Sequence, residues 1–551
     1  MNAHRPPANQ PLREYCWLAC LALCLFLPSI WSETSVTGGD EYRLSLRTPI
    51  EMAERGQWLT PWLDGQPRLQ KPPLLYWAIL ATYKTAGIHL ASARIWGVLS
   101  GIGLVVFTAM LARRINGRDG WLAGMLALGS VGVAVEARRA MLDLPLAAWT
   151  TLALWAWIGW VQSGRWRQAA GAAAALGMAC LVKGPAGLWF FLAGAIAFLA
   201  GSGQWRVLKL RWVHLAGGLA VWLAVSLPWP LAMWRLWPEA FQATFAAETQ
   251  ARGFGQIQLS PLISAITGAL GLVFPWTLVV LGTVIAALRM PRPERNPYAW
   301  LWLWLVISVL PFLAMRTFER YLLAIVPVQC MLAARWLEDD PGMLPRLALR
   351  LSTVLLGGAL LFFCGFALWF RLGWFWPAAG LAVVLWLALE ASGRCRPRWL
   401  AGGVSVGLAV FLGGLYPAIG INALPDRLAE TIGGRTAFQF ANSQPSMLSM
   451  RLKTSVRELS PAAKVFDWPA FESGAVVFVE ASRHGEFAGW LQQENLEAQE
   501  LGRFATFYSR KAWIRFARAG ASWEDWKAAA RARSLDGLKT GFQYYRVRSR
   551  M

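Results

Sequence analysis

Residues 37–77 open T-G-G-D-E-Y-R and close L-D-G-Q-P-R-L-Q-K-P-P-L-L-Y-W. They place Asp40, Glu41, Arg43, Asp64, Arg68 and Lys71 between an apolar run at 15–31 and another at 93–112. Acids and bases pinned between two membrane-length apolar runs are costly unless they meet a polar ligand. The stretch is therefore expected to be the first outer loop, and the catalytic loop, of a membrane enzyme.

The remainder of the chain agrees with a membrane setting. Of 551 residues, 56% are hydrophobic and 15% charged, with 34 Trp, and the mean hydropathy is +0.39. A soluble chain carries roughly 25% charge. Further apolar runs fall near 120–137, 144–161, 168–182, 186–200, 213–234, 263–288, 299–315, 321–337, 350–370, 374–390 and 399–419. With the first two they predict about thirteen spans.

The net charge of +22 is spread through short loops rather than gathered in one basic module, which argues against nucleic acid as a partner and for membrane lipids. Basic residues such as Arg113 and Arg114, Arg165 and Arg167, Arg206 and Lys209, and Arg394, Arg396 and Arg398 fall in alternate short loops. By the positive-inside rule those loops are cytoplasmic, as is the N-terminal segment 1–14. The opposite loops hold the acids, so the interesting residues are expected on the outer side. The run at 15–31 is read as a first span and not a signal peptide, because no small-residue cleavage site follows.

From about residue 424 the long apolar runs stop. Short strand-like runs at 463–467, 474–480 and 541–548 alternate with helical stretches at 486–493 and 523–533. Residues 424–551 are expected to form a small α/β domain on the outer side, after a transmembrane domain of residues 15–423 whose first outer loop is 32–77. Seven cysteines give no disulfide framework. Cys16, Cys20 and Cys24 recur every four residues, which predicts a packing stripe.

Several charged residues sit at span ends. Asp40 and Glu41 follow two glycines and suit a catalytic and a structural carboxylate, or simply the start of a helix. Lys71 precedes Pro72-Pro73, a stiff setting for a phosphate-binding cation, although an interfacial lysine reads the same way. Arg138, Arg139 and Asp143 mark one turn, where Asp143 could cap the next helix. Lys183-Gly184-Pro185 marks another. Glu248 and Arg252 are four apart and could pair, and Glu319-Arg320-Tyr321 form one more cluster. No nucleotide-binding or zinc-protease motif is present.

An Asp-Glu pair beyond the first span, K-P-P-L-x-Y-W, R-x-x-x-L-D-x-P-L and L-x-K-G-P resemble the GT-C membrane glycosyltransferases. Within them they resemble most the bacterial 4-amino-4-deoxy-L-arabinose lipid A transferases, relatives of the protein O-mannosyltransferases. The resemblance implies a GT-C fold in the bacterial inner membrane with a periplasmic C-terminal domain. It implies inverting transfer of a sugar from undecaprenyl phosphate to lipid A or another envelope acceptor. Asp40, with Glu41 beside it, is then the catalytic carboxylate. Lys71, Arg252 and Tyr321 would hold the donor phosphate, with Arg43, Arg68, Arg139, Asp143, Lys183, Glu248 and Arg320 around the cavity. Gln70 stands where the family has an acid and Thr249 where it has His, positions associated with a bound zinc. Neither a metal nor another cofactor is therefore expected. A different sugar or acceptor, a lipid-linked saccharide transporter and a non-catalytic scaffold are the competing readings; a transporter would favour mid-span charges and two related halves.

Overall fold

The structure is a computed structural model that describes residues 10–38, 41–116, 120–251, 259–289, 296–313, 318–340, 342–441, 447–460, 468–510, 513–514 and 517–550. It is that of a multi-pass helical membrane protein carrying a small C-terminal sheet. Helix α1 (Gln10–Phe26) buries Leu18, Ala22 and Phe26, one residue per turn. Cys16, Cys20 and Cys24 lie on a different face and are exposed. The expected cysteine packing stripe is thus corrected: in an apolar solvent a cysteine gains little from burial, so its spacing does not mark the packed side.

Six helices are long and apolar enough to cross a membrane: Leu90–Ile115, Asp143–Ser163, Glu319–Asp339, Met343–Trp369, Phe375–Ser392 and Pro397–Ala418. Two bent pairs bring the number to eight, Trp212–Ser226 with Pro228–Leu236 (42°) and Ile263–Leu272 with Thr277–Arg289 (104°). These numbers concern the described residues and rest on length and composition. Several other expected spans are present as shorter or broken helices. The 120–137 run, for example, divides into α5 (Trp121–Leu128) and α6 (Val131–Glu136). Apolar run length registers hydrophobicity and is blind to such breaks.

The helices that build the site are α4 (Leu90–Asn116), α7 (Asp143–Ser163) and α8 (Trp166–Lys183), with α4 against α7 and α7 against α8. A close approach makes this possible: a Cβ on Gly97 would sit 2.3 Å from the Arg139 carbonyl oxygen, so only glycine lets α4 touch the turn before α7.

From Glu41 the first loop is built of short elements. A π-helical turn (Glu41–Leu46) runs into α2 (Arg47–Glu54). A two-residue hairpin, β1 (Trp62–Leu63) with β2 (Gln66–Pro67), follows, and then α3 (Leu74–Ala86). Near the C-terminus, β3 (Ala437–Phe440), β4 (Arg457–Leu459), β5 (Ala475–Glu480), β6 (Leu496–Thr506) and a long last strand form one sheet. A separate ladder joins β7 (Ser509–Arg510) to β8 (Trp513–Ile514), and the last strand is β9 (Thr540–Ser549). The sheet order is β4-β3-β5-β9-β6, with β3 parallel to β4 and β5, and β9 antiparallel to β5 and β6.

Strands at 474–480 and 541–548 and helices at 486–493 and 523–533 match β5, β9, His484–Gln493 and Trp523–Ala532. The expected 463–467 strand lies outside the described residues. The C-terminal part packs on the first loop and α3: Leu46, Ile50, Ile79 and Tyr83 share one apolar cluster with Leu428, Met450 and the β5 residue Phe478. Glu33 ties the two further, accepting from Arg451 Nη2 at 2.6 Å and from the Leu424 N–H at 2.8 Å.

Candidate active site

The hairpin decides where Arg68 and Lys71 go. Its L-D-G-Q turn takes left-handed φ at Asp64 (52°) and Gly65 (77°), the geometry that matches a two-residue hairpin to the strand twist. The Arg68 N–H then donates to the Pro61 carbonyl at 2.8 Å. Arg68 is buried, and its Nε donates to the Tyr76 hydroxyl at 3.3 Å. Three residues on, Lys71 Nζ meets Glu248 Oε1 at 3.2 Å. Glu248, which could pair with Arg252 along its own helix, reaches Lys71, 177 positions away; Arg252 lies outside the described residues.

Across the cavity stands Asp143, which does not cap its helix: the N-cap position is Leu142, with no side-chain cap. Asp143 is buried and pairs with Lys183 at the end of α8 and with Arg320 Nε at 3.3 Å. Lys183 Nζ lies 3.5 Å from the centre of the Tyr321 ring, and Arg320 lies over Phe318 at 4.5 Å. The aromatic faces hold the two cations without neutralising them.

Arg68, Lys71, Asp143, Lys183, Arg320 and Tyr321, with Ser45 and Tyr76, line one cavity of about 80 Å³. Among the described residues that line it, the four cations Arg68, Lys71, Lys183 and Arg320 face one carboxylate, Asp143, so the cavity favours an anion. Beside it runs an apolar groove of about 520 Å³, lined by residues such as Leu74, Trp77, Phe107, Pro145, Trp149 and Val182. Leu74, Pro145 and Val182 are within three residues of Lys71, Asp143 and Lys183 along the chain, so the same segments build both chambers.

Two expected site residues stand elsewhere. Glu41 is fully buried in an ion pair with Arg94 Nε at 2.9 Å, and accepts from Thr37 Oγ1 at 2.5 Å and the Ala140 N–H at 2.9 Å. Burial pushes its pKa up, but the Arg94 charge and these hydrogen bonds outweigh burial and hold the carboxyl below the usual glutamate value. A carboxylate so enclosed cannot meet a substrate, which corrects its expected catalytic place. Arg139 bonds Glu136 at 2.7 Å and the Thr37 carbonyl at 3.2 Å, and does not line the cavity. Asp40 and the side chain of Arg43 lie outside what is described.

Sequence reading missed Tyr76 and Arg94. Arg94 carried a usable signal, a lone arginine inside an apolar run; Tyr76 did not. The donor set also speaks against zinc. Gln70 is an exposed amide, Glu248 is engaged by Lys71 and position 249 is Thr, whereas zinc wants several imidazole, thiolate or carboxylate ligands.

Comparison with known proteins gives the fold. The profile of the family described as dolichyl-phosphate-mannose-protein mannosyltransferase matches residues 45–240. An undecaprenyl phosphate-alpha-4-amino-4-deoxy-L-arabinose arabinosyl transferase of Pseudomonas fluorescens is 28% identical over 270 residues, 47% of this chain and 48% of the relative. The enzyme of that name from Pectobacterium atrosepticum is 28% identical over 408 residues, 67% of this chain and 70% of the relative. The chain thus spans about half the length of the first curated relatives it matches. The crystal structure of ArnT from Cupriavidus metallidurans bound to undecaprenyl phosphate superposes with a TM-score of 0.71 at 18% identity, covering 98% of each chain. Its apo form gives 0.70 at 18% identity over 97% of each chain. The chain therefore has the fold of the ArnT-like GT-C membrane glycosyltransferases.

Proposed function

We propose that the protein is an inverting glycosyltransferase that moves a sugar, 4-amino-4-deoxy-L-arabinose, from undecaprenyl phosphate to lipid A or another envelope acceptor. The reaction is placed at the periplasmic face of a bacterial inner membrane. Residues 15–423 form the transferase and residues 424–551 a periplasmic domain over it. The observation that carries this reading is the anion-favouring cavity set against a long apolar groove. A polyprenyl phosphate has the same two parts, a charged head and a hydrocarbon chain. The names of the relatives support the sugar and the lipid.

The chemistry follows from the charges. The bond between the anomeric carbon and the donor phosphate oxygen breaks as an acceptor oxygen bonds to the opposite face of that carbon. The departing lipid phosphate gains negative charge, and Arg68, Lys71, Lys183 and Arg320 stabilise it more in the transition state than in the bound donor. Asp143 keeps Lys183 and Arg320 aimed at one point. Asp40 serves the acceptor side. An acceptor phosphate arrives ionised and needs only orientation, whereas a hydroxyl would surrender its proton to Asp40. No step runs through a metal.

Mass spectrometry of lipid A tests the reading in cells with the protein, without it, and with Asp40→Asn. A pentosamine mass shift present only with the intact protein is expected. Lipid A of the same mass in all three strains would remove lipid A as the acceptor.

A further inference from the structure

Helix α2 stands between the cation-bearing hairpin and the C-terminal sheet, and holds both through carboxylates. Glu51 is buried at 5% exposure. Each of its oxygens accepts a backbone N–H from the hairpin turn, Asp64 at 2.8 Å and Gly65 at 3.1 Å. Arg47, one turn earlier, ion-pairs with Asp64 and lies 3.9 Å from Glu51. This grip falls on the two left-handed residues, of which Asp64 pays a steric cost that glycine does not. The outgoing arm of the same turn delivers Arg68 and then Lys71.

At the other end of α2, Glu54 accepts from Thr454 Oγ1 at 2.9 Å, the Ser455 N–H at 3.0 Å and Ser455 Oγ at 3.0 Å. Thr454 and Ser455 lie between the helix Leu448–Leu452 and β4. An unbroken series of contacts therefore leads from the C-terminal sheet through Glu54, α2 and Glu51 to the turn before Arg68 and Lys71. Nothing in the series reaches the cavity itself, since neither Glu51 nor Glu54 lines it.

We propose that Glu51 is a positioning residue for the phosphate-binding cations Arg68 and Lys71, and that the C-terminal sheet fixes this position through Glu54. The proposal rests on the donor reading above. It gives the C-terminal part a task in donor binding, separate from any contact with the acceptor.

The test uses the full chain in detergent, with undecaprenyl phosphate alone as the binding probe and transfer kinetics beside it. Glu51→Gln keeps the volume but replaces one acceptor oxygen with an NH₂ group that faces a backbone donor. It is expected to weaken probe binding and raise the donor KM about ten- to a hundredfold, with a smaller change in kcat. Glu54→Gln, whose contacts are solvent-exposed, is expected to shift the same two quantities less. The double variant should be less than additive, because both act along one helix. Unchanged probe binding and donor KM in Glu54→Gln would overturn the role of the sheet. Unchanged values in a folded Glu51→Gln would overturn the proposal as a whole. An intact protein that ignores undecaprenyl phosphate would fail the donor reading and this inference with it.

Discussion

Two charged clusters built from neighbouring segments differ in one respect, their access. In the Glu41–Arg94 pair both side chains are wholly buried and the carboxylate has four hydrogen-bond donors around it. In the Asp143 cluster the same kind of pair opens on a cavity, and two cations share one acid while Arg68 and Lys71 face them. The first arrangement spends its charge on itself and fixes where the loop after Thr37 begins. The second, among the described residues that line its cavity, keeps positive charge in excess and is suited to an anionic ligand. Two buried carboxylates such as Glu41 and Asp143 can thus have opposite duties, and access to the cavity separates them where charge does not.

Substitutions in the two clusters should act differently. Cutting the sealed pair should have the largest effect. Glu41→Gln or Arg94→Met leaves a buried charge unpaired, which costs about 3–5 kcal/mol. Thermal unfolding in detergent should show a large fall for either variant. A near-normal unfolding temperature would mean the pair is not structural.

Cutting the open cluster should spare the fold and strike the reaction. Lys183→Met is expected to lower kcat by roughly 10²–10³-fold, with an unfolding temperature close to that of the parent protein. Equal losses of stability and activity would erase the distinction. Lys71→Met comes next, because Arg68 remains beside it; a rise in donor KM of about tenfold, or 1.4 kcal/mol, is expected in transfer kinetics.

Acid sharpens the contrast further. The Glu41 carboxyl titrates below its ordinary value of 4.5 in the folded protein. Its contribution to stability is therefore complete above 4.5 and is lost as the pH falls through the lower, folded value. Unfolding followed between pH 7 and pH 3 should show that loss only below about 4.5, and Glu41→Gln should not show it. The smallest effect belongs to exposed pairs. Arg483→Ala removes a surface contact to Glu486 at 3.1 Å and should leave unfolding and transfer unchanged.

Much of the lining of the candidate site was legible in the sequence, for a simple reason. Lys71, Asp143, Lys183 and Arg320 stand at the ends of apolar runs, where charge is conspicuous and expensive. Their meeting in one cavity was not legible, because it depends on how α3, α7, α8 and the segment after residue 317 converge. Pairing was misjudged at one helix start, where Asp143 leaves its own helix end uncapped; Glu248 reaches Lys71 on another segment, and its neighbour Arg252 lies outside the described residues. In the fold, β5 and β9 announced themselves by apolar, β-branched and aromatic runs. The edge strand β6 did not, since it reads L-E-A-Q-E-L-G-R-F-A-T and most of its middle is polar. An edge strand gains from charge that protects it against pairing with other chains, and that charge hides it from a hydrophobicity reading.

In the proposed reaction the four-cation cavity receives the phosphate of a polyprenyl donor while the adjoining groove takes its chain. A structure of the full protein with undecaprenyl phosphate tests it most directly. Phosphate is expected within hydrogen-bond reach of Arg68, Lys71, Lys183 and Arg320, with the chain running past Leu74, Phe107 and Val182. Phosphate bound elsewhere, with the cavity closed by its own ion pairs, would contradict it.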